Sequence, residues 1–154
     1  MIKTSLTSFI KAKQFEDALK YLDNLPQALQ KEFVMENAYI LHRNGNNKKA
    51  LTKLQTLKDD TSYQYQHLLA QINYKLGKYD QSVSIYEGIL NSNTQGIEGE
   101  EPLDQDEITD ITTNYLACQS SVQKSSQQDV KKFLQQYCSD SGFEQTYEYF
   151  FNLS

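Results

Sequence analysis

The sequence predicts an all-α chain, a helical solenoid of about four helix hairpins plus a terminal helix. Three observations carry that expectation. Lys13, Gly45 and Gly77 stand at one 32-residue step, and the small residues Ala18, Ala50 and Ser82 follow each of them by five. Leu22, Leu54 and Tyr86 keep the same step, as do Leu25, Leu57 and Ile89, and upstream Leu6, Ala38 and Ala70. Within each block apolar residues return every three or four positions, the spacing of one helix face. Units of this length cannot bury their own apolar face and must stack on a neighbour.

Three regular repeats occupy residues 1–90. Phe33 to Asn44 and Tyr63 to Leu76 read as first helices, ended by Gly45 and Gly77, because glycine tolerates the left-handed backbone of a helix end. A second helix follows each turn. Asp17 and Asp80 stand where side-chain oxygens can cap its free amides, and Ala18, Ala50 and Ser82 let two helices approach closely. Asn91 to Pro102 reads as a solvated loop, because Gly96, Gly99 and Pro102 break both periodicities and the acidic residues from Glu98 onward repel one another.

Beyond this acidic loop (91–103), Asp104 with Glu107 fits a capping box, and Ile108, Ile111, Tyr115, Leu116 and Cys118 form the apolar face of another helix. A shorter helix from Gln127 to Tyr137 pairs with it, so 104–138 is an irregular fourth hairpin. After a break at Ser139 to Gly142, residues 143–153 form a last helix. Tyr147, Phe150 and Phe151 are then left uncovered. The expectation is a fragment of a longer protein, or a helix that acts as a cap.

Composition fits one domain over residues 1–154: 38% of the chain is hydrophobic and mean hydropathy is −0.68. The net charge of −5 hides an asymmetry. Residues 1–58 hold ten Lys or Arg against five Asp or Glu, and residues 59–154 hold five against fifteen. No apolar run approaches a bilayer span, and Met1 is not followed by a basic stretch and an apolar block, so a soluble, untargeted cytoplasmic chain without membrane insertion is expected. Cys118 and Cys138 have no CxxC spacing and no His pair beside them, and read as free thiols. His42 and His67, 25 residues apart without clustered carboxylates, make no metal set. Neither a GxGxxG nor a P-loop string is present, nor a nucleophile beside a base. No enzyme, no metal and no cofactor are expected.

Leu69-Ala70, Gly77, Tyr79, Ser82, Tyr86 and Ile89 resemble the tetratricopeptide pattern, and Ala38, Gly45, Ala50, Leu54 and Leu57 repeat it more weakly. The step is shorter than that family's usual 34, and its tryptophan and terminal proline are absent. A closer resemblance lies inside the family. Glu36-Asn37-Ala38-Tyr39, Leu41-His42-Arg43-Asn44 and Ala50-Leu51 are similar to the second hairpin in the amino-terminal repeat domain of the seventy-two-kilodalton subunits of the signal recognition particle. Tyr74-Lys75-Leu76, Lys78-Tyr79-Asp80, Ile85-Tyr86, Thr113-Asn114-Tyr115-Leu116-Ala117, Thr146-Tyr147-Glu148 and Phe151-Asn152 continue it in order. The insert from Asn93 to Asp106 aligns with nothing in it.

The resemblance implies a non-catalytic interaction domain that holds a carboxy-terminal segment of the particle's sixty-eight-kilodalton subunit in a concave groove, for co-translational targeting to the endoplasmic reticulum. It implies contact with the particle's RNA only through regions absent from this chain. The alternative is a generic tetratricopeptide scaffold or a chaperone adaptor; adaptors of that kind need Lys and Asn together on the groove helices. RNA binding by this segment has support from the basic first half and its tyrosines, against net acidity and the lack of an RNA module.

The register then nominates groove residues. Lys11, Arg43 and Lys75 share one position two before the turn, and Ile10, His42 and Tyr74 the adjacent one. Thr7, Tyr39 and Gln71 lie on the same face, as do Lys3, Met35 and His67 four residues earlier. Asn114 joins them from the fourth hairpin. Such a stripe suits a partner with acidic and apolar side chains; the same cations also read as a solvated helix face.

Overall fold

The computed structural model describes residues 1–95, 101–122 and 127–136. Among them the elements run α1 (Ile2–Lys11), α2 (Phe15–Asp23), α3 (Gln27–Glu32), α4 (Val34–Arg43), α5 (Asn47–Leu54), a 3-10 turn (Gln55–Leu57), α6 (Tyr63–Lys75), α7 (Tyr79–Gln95), α8 (Gln105–Val122) and α9 (Gln127–Leu134). No described residue is in a strand, and no helix is long and apolar enough to cross a membrane. The chain divides into two compact units, Met1–Leu76 and Gly77–Ser154, and each is described by itself.

In the first unit α1 packs on α2, α2 on α4, α4 on α5, and α5 on α6. The periodic positions form its core. Leu6, Ala18, Leu22 and Ile40 make one buried cluster, and Ala38, Leu41, Ala50, Leu54, Tyr65, Leu68 and Ile72 make the next. Ala18, Ala38, Ala50 and Ala70 are fully buried. Where helix axes come this close, a methyl group is the largest side chain that fits.

Both hairpin turns close with the same bonds. Lys13 N donates to Ile10 O and Gln14 N to Phe9 O, at 3.0 and 2.9 Å; Gly45 N donates to His42 O and Asn46 N to Leu41 O, at 3.0 and 2.8 Å. This pair of bonds is the Schellman motif, which needs a left-handed residue after the helix. Gly45 has φ +82° and Gly77 +75°. Lys13 takes φ 58° at the same place, the one non-glycine residue with positive φ among those described.

Two details differ from expectation. Asp17 and Asp80 do not stand at N-cap positions: α2 begins at Phe15 after Gln14, whose side chain makes no cap bond, and α7 begins at Tyr79. Both aspartates sit inside the first turn, where a negative charge interacts favourably with the helix dipole. The side-chain cap is found instead on α6, where Ser62 Oγ accepts from Tyr65 N at 3.3 Å. Short helix α3 carries no signal in the 32-residue register; it starts after Pro26, and Gln30 Nε2 donates back to Leu25 O at 2.8 Å.

In the second unit α7 packs on α8, and α8 on α9. The expected loop from Asn91 begins later, since α7 continues to Gln95. Gly96 is the first residue in that stretch that disfavours a helix; Asn91 to Gln95 contain neither glycine nor proline. Asn93 Oδ1 then accepts from Leu103 N at 2.8 Å and fixes the chain as it returns to α8. The capping box is formed: Asp104 N donates to Glu107 Oε2 at 3.0 Å and Glu107 N to Asp104 Oδ1 at 2.8 Å. Ile111, Tyr115, Leu116 and Cys118 are buried, while Ile108 is half-buried. Tyr115 is 2% exposed, and its hydroxyl donates to Glu87 Oε1 at 3.0 Å while accepting from Gln119 Nε2 at 2.9 Å. The terminal helix expected at 143–153, with Cys138, lies outside the described residues.

Candidate peptide-binding groove

The first helices of the three periodic blocks, α1, α4 and α6, belong to the first unit, and a groove of about 440 Å³ opens among them. Ile10 enters from α1, Met35, Glu36 and Tyr39 from α4, and Tyr63, Gln64, His67, Leu68 and Gln71 from α6. Its size lies within the range of ordinary ligand pockets and admits a few side chains. Five nominated residues therefore meet: Ile10, Met35, Tyr39, His67 and Gln71. Glu36 and Leu68, which were not nominated, share the next register position, one residue after Met35 and His67, and that shared position is the signal that could have found them. Tyr63 and Gln64 precede that stripe by one helical turn.

Polar groups on α6 are tied in series. Tyr63 and His67 rings lie 5.5 Å apart, and the Tyr63 hydroxyl stands 3.1 Å from His67 Nδ1. Gln71 Nε2 donates to His67 Nε2 at 3.2 Å. With Nε2 accepting, the proton sits on Nδ1 and is directed at the tyrosine. The ring is thus tied at both nitrogens to residues of its own helix.

The basic residues are placed elsewhere. Lys11, Arg43 and Lys75 are the last residues of α1, α4 and α6, where a cation offsets the negative end of the helix dipole. That placement gives their recurrence a structural reason. Arg43 Nη1 donates to the Tyr39 hydroxyl at 2.8 Å, and the guanidinium lies 5.5 Å from the Phe15 ring centre and 5.8 Å from that of Tyr39. It therefore braces Tyr39 through both its hydroxyl and its ring. His42 Nδ1 donates to Asn47 Oδ1 at 2.6 Å and joins the end of α4 to the start of α5. Lys3 and Thr7 are exposed on α1, and Thr7 Oγ1 donates to Lys3 O at 2.8 Å. Tyr74 is half-buried on α6, and neither it nor Lys75 lines the groove. Asn114 is half-buried on α8, in the second unit. Glu36 is the one charged side chain among the lining residues, which departs from the cationic stripe that the register suggested.

Among the described residues no group of three or more His, Cys, Asp or Glu could hold a metal ion. Neither the curated proteins nor the solved structures contain a match to this chain. One family model does match, over residues 2–121: SRP_TPR_like, described as "Putative TPR-like repeat". The matched stretch begins with α1 and ends within α8, so it includes every helix of the groove and most of the chain, which belongs to the SRP TPR-like repeat family.

Proposed function

We propose that the chain is a non-catalytic, cytoplasmic interaction domain whose groove receives a segment of the carboxy-terminal region of the signal recognition particle sixty-eight-kilodalton subunit. Such a domain serves co-translational targeting to the endoplasmic reticulum. The observation that supports it is the convergence of Ile10, Met35, Tyr39, His67 and Gln71 from three successive repeats on one groove, in a chain of this family.

Apolar anchors of the segment enter between Ile10, Met35, Tyr39 and Leu68, while Gln71 and the Tyr63–His67 pair hydrogen-bond its backbone. Glu36 favours a donor or a basic side chain at that end of the groove. Copurification of this chain with the sixty-eight-kilodalton subunit's carboxy-terminal segment tests the proposal, and no complex at micromolar concentration would sink it. Tyr39→Ala should weaken the complex by about tenfold or more, as expected for a central aromatic anchor. Equal affinity in that variant would place the segment elsewhere.

A further inference from the structure

A second cavity, of about 540 Å³, opens in the first unit among α2, α4 and α5, and shares no lining residue with the groove. Asn37 stands in its wall at 6% exposure. Among the described residues its side-chain amide has no hydrogen-bond partner, yet no polar side-chain atom is both sealed and unsatisfied. Its amide atoms are therefore not fully shielded, and the cavity is the opening that Asn37 lines. Amides on residues this buried are as a rule partnered within the protein, and the repeat does not require this one. Its register equivalents are Ser5, whose hydroxyl donates to Met1 O at 3.2 Å, and Leu69, packed against the core.

Lys49 and Lys53 line the same cavity one helical turn apart on α5. Among the described residues neither ammonium has a carboxylate within 4.0 Å. Leu19 and Leu41 supply an aliphatic wall, and Asp23 lines the cavity from α2. We propose that this is a carboxylate-binding site for an acidic side chain of a partner peptide, lying between the two lysines with Asn37 Nδ2 donating to it. The stem of that side chain packs on Leu19 and Leu41. Asp23 repels more highly charged anions, so the site prefers a carboxylate to a phosphate.

The probe is a capped tripeptide of leucine, glutamate and leucine, titrated into the folded chain and followed by the side-chain amide signals of Asn37 in nitrogen–proton correlation spectra. Saturable shifts at Asn37 are expected, with binding about tenfold weaker for the glutamine analogue and for a Lys49→Gln, Lys53→Gln double variant. Inorganic phosphate should shift these signals no more than chloride at matched ionic strength. Equal shifts from the glutamine peptide, or shifts that persist in the double variant, would overturn the assignment. The exposed or half-exposed lysines leave the core untouched, and Tyr39→Ala, which empties the groove's centre, should leave this titration unchanged.

Discussion

Replacing Lys13 by glycine should stabilise the protein. Lys13 holds φ 58° within the same hydrogen-bonded turn that Gly45 closes at φ +82°. A non-glycine residue loses roughly 1–2 kcal/mol in this backbone region, because its Cβ crowds the adjacent carbonyl. Glycine removes that strain but brings more unfolded-state freedom, which offsets roughly 0.5–1 kcal/mol. The net gain is then about 0–1.5 kcal/mol, or up to roughly 6 °C in Tm for a chain of this size. Gly45→Ala is the reciprocal test. An added Cβ there meets nothing within 4 Å, so any loss comes from the backbone alone and should be about 1 kcal/mol. Urea unfolding followed by circular dichroism measures both. Should Lys13→Gly leave the midpoint unchanged or lower it while Gly45→Ala costs nothing, left-handed strain does not govern these turns.

Ala50→Leu forces a branched side chain into a fully buried helix crossing and should cost about 1–3 kcal/mol in the same assay; a neutral result would mean the crossing has slack. Asp104→Ala removes one half of the capping box and should lower stability by about 1 kcal/mol, with faster hydrogen exchange at the Glu107 amide as its local signature. Burial pushes the Cys118 thiol up to about 11, against a hydrogen bond from Ser82 that lowers it. Its protonated form therefore stabilises the fold fully below the ordinary value of 9.0, and that contribution is lost as pH rises through about 11. In a Cys138→Ser background, Cys118 should resist alkylation at about pH 8 and react at once in urea. Equal rates in both conditions would contradict its burial.

Architecture was legible because it depends on which positions must be small, apolar or left-handed, and each of those demands restricts residue type. Ala18, Leu22 and Gly45 could be placed by period alone. The capping box was legible for the same reason, since both of its bonds are local. Groove membership was only partly legible. The register establishes that Lys11, Arg43 and Lys75 are equivalent, but equivalence does not give side-chain direction. Arg43 folds back by one turn onto Tyr39 and across to Phe15 because a guanidinium finds two aromatic faces there. Glu36 and Leu68 lay one register position from the nominated stripe, within a stripe width that the choice of four ladders left too narrow. Helix α3 is not legible in the period because it occurs once, and a period is silent about what does not recur.

Between α7 and α8 the Tyr115 hydroxyl both gives and receives, with Glu87 on one helix and Gln119 on its own. An aliphatic contact tolerates sliding by an ångström or two, whereas this bond to Glu87 is satisfied at one axial setting, since a single helical residue advances 1.5 Å. Where the last periodic block meets α8, the axial alignment of the two helices is therefore keyed by polar chemistry as well as by shape. A chimaera that exchanges the preceding repeats while keeping Glu87, Tyr115 and Gln119 would carry its own alignment gauge for α7 and α8.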